Sequence, residues 1–89
     1  MFKLIIAILR DNDSNGVLDA LVAANFRATR IASSGGFMRE GNTTLMIGVE
    51  AERVDAAIAC IKSARSSAPA DGAHHATVFV LNTARYEQI

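Results

Sequence analysis

The residues able to hold a small anion gather in one stretch, Asn25 to Gly48. It carries amides at Asn25 and Asn42, guanidinium groups at Arg27, Arg30 and Arg39, a run of hydroxyls, the aromatic Phe37 and the glycine pair Gly35-Gly36. Arginines and backbone N–H groups are donors for phosphate or carboxylate oxygens. The segment Ser34-Gly35-Gly36-Phe37-Met38-Arg39-Glu40-Gly41-Asn42 contains three glycines and an asparagine. All four tolerate positive φ, so this segment reverses the chain and exposes backbone N–H groups. Phe37 stands inside this polar loop rather than in a periodic stretch, which points to a ligand or partner rather than to a core.

Other candidates have plainer readings. Asn25 also suits the C-terminus of a helix. Asp11 and Asp13 are placed to stabilise a helix N-terminus rather than to do acid/base chemistry. Arg30 and Arg39 read as solvated charges. The adjacent His74 and His75 lack spaced Cys, Asp or Glu co-ligands, so no metal site is expected. Cys60, the single cysteine, sits in the apolar run AAIACIK without an activating neighbour and reads as a small core residue. No nucleophile, base and orienting group form a recognisable set, so an enzyme is not expected.

The elements that must position these groups follow from periodicity. Phe2 to Leu9 is apolar on both alternating faces and reads as a central strand. Asp11 to Ser14 ends it, and Val17, Leu18, Leu21 and Val22 give a helical stripe running to about Ala24. Two alternating runs, Phe26 to Ser33 and Thr43 to Val49, read as strands on either side of the glycine-rich loop. Glu50 to Arg53 opens a second helix with the stripe Val54, Ala57, Ile58 and Ile61, ending near Ala64 or Arg65. Ser66 to Gly72 has loop composition, and Ala76 to Leu81 is a last strand rich in β-branched residues.

The order is βαββαβ, the ferredoxin-like α+β fold: a four-stranded antiparallel sheet with two helices on one face. At 89 residues the chain is expected to be one domain, residues 1–89, near the lower limit for a self-sufficient core. The first and last strands are apolar on both faces, so the uncovered face is expected to meet other subunits in a homo-oligomer. If the sheets pack about a closed axis, the loop between the second and third strands lies near a subunit boundary, and a cleft shared between subunits is the expected ligand site. Net charge is zero and no polybasic run occurs, which argues against binding to a nucleic acid polymer. The apolar start is too short to span a bilayer and lacks a signal-peptide cleavage pattern, so the expected location is the cytoplasm, away from membranes.

Several segments, in order, resemble the PII-like cyclic di-AMP receptor proteins, a family of small trimeric signalling proteins. They are KLIIAI, Asp11-x-Asp13-Ser14, Asn25-Phe26-Arg27-Ala28-Thr29, Ser34-Gly35-Gly36-Phe37, Gly41-Asn42-Thr43-Thr44, Gly48-Val49, Arg53-Val54 and Ala76 to Val80. The resemblance implies a PII-like homotrimer that binds cyclic di-AMP, or a related adenine nucleotide, between subunits. It places Asn25, Arg27, Ala28 and Thr29 on one wall, Gly36, Phe37, Met38 and Asn42 in the loop, and Gly48 and Phe79 at the rest of the pocket. These residue types fit two phosphates and two purines: Arg27 for phosphate, amides for an adenine edge and Phe37 for stacking. No cofactor beyond the nucleotide is implied, and the downstream protein is unspecified. One departure stands out. Ser63 to His75 is much shorter than the loop the family carries between the second helix and the last strand, so a PII-like trimeric scaffold with an altered pocket is the alternative.

Overall fold

The computed structural model describes residues 1–33, 42–64, 76–85, 87 and 89. Its elements run β1 (Phe2–Arg10), α1 (Asp11–Ala23), β2 (Arg27–Ser33), β3 (Asn42–Glu50), a short 3₁₀ turn (Ala51–Arg53), α2 (Val54–Ala64) and β4 (Ala76–Asn82). The strands form one antiparallel sheet in the order β2-β3-β1-β4, with the nine-residue strands β1 and β3 at its centre. This is the ferredoxin-like arrangement expected from the periodicities.

Period-2 alternation decides which side chains meet the helices. Ile5, Ala7 and Leu9 of β1 are buried, as are Leu45, Ile47 and Val49 of β3. They form one core with Val17 and Leu21 of α1 and Ala57 and Ile61 of α2, so both helices cover the same face. Val78 of β4 and Ala28 of β2 pack partly against this core. The stripe on α1 is narrower than the sequence suggested. Val22 remains 55% exposed, and the buried face runs instead through Ser14, Val17 and Leu21.

The start of α1 also differs from expectation. The helix begins at Asp11, directly after β1, and Arg10 in the capping position makes no side-chain cap bond. Asp11 and Asp13 lie inside the first turn, where their charge complements the helix dipole. The Thr43 hydroxyl of β3 donates to the Asp11 carboxylate, and the Ser14 hydroxyl donates back to the Asp11 carbonyl at 2.9 Å. Arg30 is engaged rather than simply solvated. Its guanidinium donates to Asn15 Oδ1 at 2.5 Å and reaches Ser14 Oγ at 3.5 Å, tying β2 to the first turns of α1. Just past Arg30 the β2–β3 register shifts, so Ile31 is the extra residue of a β-bulge.

Candidate functional site

The site is built outward from the end of α1. Asn25 has φ 68°, the left-handed conformation that asparagine and glycine adopt most easily. This reversal lets the Asn25 N–H donate to the Val22 carbonyl at 3.0 Å and the Phe26 N–H to the Leu21 carbonyl at 2.9 Å. Both bonds satisfy carbonyls that the helix end would otherwise leave open. Phe26 is buried beside Leu21, the apolar contact that accompanies such a helix end. The exposed Asn25 side chain takes no part in these bonds.

Beyond the corner, β2 runs along the edge of the sheet, and its residues alternate between faces. Ala28 turns toward the core, so a ligand on the open face would meet only its backbone. Arg27 and Thr29 are exposed on the other face. There the register sets two successive rows across the sheet: Arg27, Gly48, Leu4 and Leu81, then Thr29, Met46, Ile6 and Phe79. Because Gly48 carries no side chain, the first row dips beside Arg27. A depression of about 320 Å³ results, lined by Phe2, Lys3, Leu4, Arg27, Thr29, Met46, Gly48 and Thr83. That volume lies at the lower end of the range for small-molecule sites. Its walls are largely apolar, with the cationic residues Arg27 and Lys3 among the lining, a combination suited to a ring system bearing an anionic group.

Three residues expected at the site, Arg27, Thr29 and Gly48, therefore share one depression. Asn25 lies two residues before Arg27, at the corner. Phe79 is 51% exposed on the same face of β4, three inter-strand spacings from Thr29, or about 14 Å. Asn42 pairs with Arg10 at the opposite end of β3, six residues from Gly48, or about 20 Å along the strand. Within one chain these described candidates do not converge. Gly36, Phe37 and Met38 lie outside the described residues, as do His74 and His75.

Periodicity alone could have found two further lining residues. Leu4 and Met46 fall on the face opposite the buried Ile5 and Ile47, in register with Gly48 and Thr29. Thr83 carried no such signal. It reaches the depression because its hydroxyl donates to the Phe2 carbonyl at 2.7 Å, holding the chain beyond β4 against β1. Lys3, on the rim, donates through its ammonium to the Asn82 side chain.

Among the described residues no cluster of three or more His, Cys, Asp or Glu side chains could hold a metal ion. Among them, too, no helix is long and apolar enough to cross a membrane. The remaining polar grouping, Asp11, Ser14, Arg30 and Thr43, is occupied with internal hydrogen bonds.

Comparison with known proteins bears on the family and the fold. A sequence model of the cyclic-di-AMP receptor family matches residues 2–70. A solved structure from Pediococcus pentosaceus ATCC 25745, a protein described as functionally unknown, is 39% identical and superposes with a TM-score of 0.79. The alignment covers 99% of this chain and 97% of that one. A DUF3240 family protein from Shewanella baltica OS155 matches with a TM-score of 0.72 over 99% of this chain and 96% of its own. At 11% identity, that likeness concerns the fold alone.

Proposed function

Because this chain belongs to the cyclic-di-AMP receptor family, we propose that it is a non-enzymatic signal-transduction protein that binds cyclic di-AMP in clefts between the subunits of a homotrimer. The observation that carries this reading is the convergence of Arg27, Thr29 and Gly48 on one depression of the helix-free face. Arg27 pairs with a phosphate, the apolar floor formed by Leu4 and Met46 takes a purine, and Thr29 donates a hydroxyl to a polar edge. The ten proposed ligand residues are Asn25, Arg27, Ala28, Thr29, Gly36, Phe37, Met38, Asn42, Gly48 and Phe79.

The separation of these residues within one chain supports a site completed by a second copy. Asn42, about 20 Å from Gly48 along β3, is too far from the depression to touch one purine held there, whereas a neighbouring subunit can bring its own loop end across. The helix-free face supplies an apolar surface for such a contact. Ile6 and Ile8 are only half-buried in the isolated chain, and Met46, Phe79 and Leu81 are exposed. A soluble cytoplasmic setting fits a receptor for a nucleotide made inside the cell.

Titration calorimetry of the unaltered chain against cyclic di-AMP, ATP and AMP tests the reading. Saturable binding with preference for cyclic di-AMP is expected. Absence of binding to any adenine nucleotide would favour a trimeric scaffold, with the shortened Ser63 to His75 segment as the first place to look.

A further inference from the structure

The left-handed turn at Asn25 is held from outside by a residue of the second half of the chain. The Arg53 guanidinium lies over the Phe26 ring, 4.1 Å from its centroid. The same group donates to the Ala24 carbonyl at 3.2 Å and reaches the Asn25 carbonyl at 3.5 Å. One planar cation thus covers the outer face of a buried ring and meets two carbonyls at the C-terminal end of α1, where the helix dipole favours positive charge. Arg53 is itself well anchored. It ends the 3₁₀ turn that begins at Ala51, whose N–H donates to the Met1 carbonyl at 2.8 Å at the start of the sheet.

Arg27 needs no such help, because its backbone is fixed by pairing with Gly48. Asn25 precedes the first ladder pair, so the direction of its exposed amide depends on the corner alone. A left-handed non-glycine residue keeps its conformation only when its surroundings enforce it. Here the two backbone bonds to Val22 and Leu21 set the turn, and Phe26 seated beneath and Arg53 clamped above add to its enforcement.

From this geometry we infer that Arg53 is a positioning residue for the nucleotide site, acting through Asn25 without touching the ligand; the inference rests on the receptor reading above. Lysine in its place keeps the charge near the helix end but has neither the planar face nor the forked donors that serve ring and carbonyls together. The clamp also joins the start of α2 to one wall of the site. Order at the α2 N-terminus and order at Asn25 are therefore coupled.

The test is cyclic di-AMP titration of the full chain as the unaltered protein, Arg53→Lys, Asn25→Gly and the double variant, with a melting temperature for each. Asn25→Gly retains the left-handed turn and removes only the amide. Arg53→Lys is expected to weaken binding about two- to fivefold, the range of a partly exposed cation–π contact. It is expected to cause no further weakening in the Asn25→Gly background. A purely structural role would lower the melting temperature and leave the affinity of the folded protein unchanged. Unchanged affinity in Arg53→Lys, or an equal loss with and without the Asn25 amide, overturns the inference while leaving the receptor reading intact. Failure of the unaltered chain to bind overturns both.

Discussion

Arg27 and Gly48 face each other across the β2–β3 ladder on the side of the sheet opposite α1 and α2. Both line the depression, and the glycine leaves its floor open beside Arg27. Filling that floor is a direct probe. Gly48→Val places a β-branched residue in a central strand, which strands accommodate well, and occupies the volume beside Arg27. Cyclic di-AMP affinity should fall at least about tenfold, or about 1.4 kcal/mol. The urea midpoint should stay the same or rise. Unchanged affinity would place the ligand elsewhere.

Asn25 is expected to serve two roles that substitution can separate. Asn25→Ala puts an alanine into the left-handed region and should cost about 1 kcal/mol of stability in urea unfolding. Asn25→Gly should leave stability nearly unchanged, because glycine tolerates φ 68°. Both should weaken nucleotide binding if the amide reads the ligand. Full affinity in Asn25→Gly would reduce the residue to a helix terminator.

Charge and stacking should separate by salt. Arg27→Ala should weaken binding and flatten its dependence on ionic strength, since a phosphate contact is screened. Phe37→Ala should cost about 1 to 3 kcal/mol at every salt concentration, as stacking on an aromatic does. Calorimetry at two salt concentrations checks both. Equal salt slopes in Arg27→Ala and the unaltered protein would remove Arg27 from the phosphate.

Much of this molecule was legible in its sequence because the apolar periods are clean. Alternation in β3 marked the buried face, while β1, apolar on both faces, did not disclose which side the helices take, and the stripes through Val17 and Leu21 and through Ala57 and Ile61 set both helices against one side. The features that escaped are long-range. Arg53 and Phe26 lie in different halves of the chain, and no local pattern announces that a cation will settle on that ring. Arg30 looked like a solvated charge because its partners, Ser14 and Asn15, come within reach only once β2 lies beside α1. Val22 obeyed the helical period and still ended up exposed, since α1 leans on the sheet along a narrower line than the period allows. The candidate site was proposed from the sequence as a set of residue types, of which Arg27, Thr29 and Gly48 share the depression. Its split between the depression and the far end of β3 was not legible, because spacing along a sequence does not disclose which strand end each residue reaches.

The helix-free face should mediate assembly. Leu81 is 43% exposed there, one row from Phe79, and a carboxylate in its place would be buried in a subunit contact. Sedimentation equilibrium of the unaltered chain at micromolar concentration should give a trimer, and Leu81→Glu should shift it toward monomer. A unaltered chain that sediments as a folded monomer would contradict the shared-cleft account.

The most direct measurement is the stoichiometry and selectivity of nucleotide binding to the unaltered chain by titration calorimetry. The account predicts saturable binding of one cyclic di-AMP per chain, tighter than ATP or AMP. No heat of binding with any of the three, under conditions where the protein is folded, would contradict it.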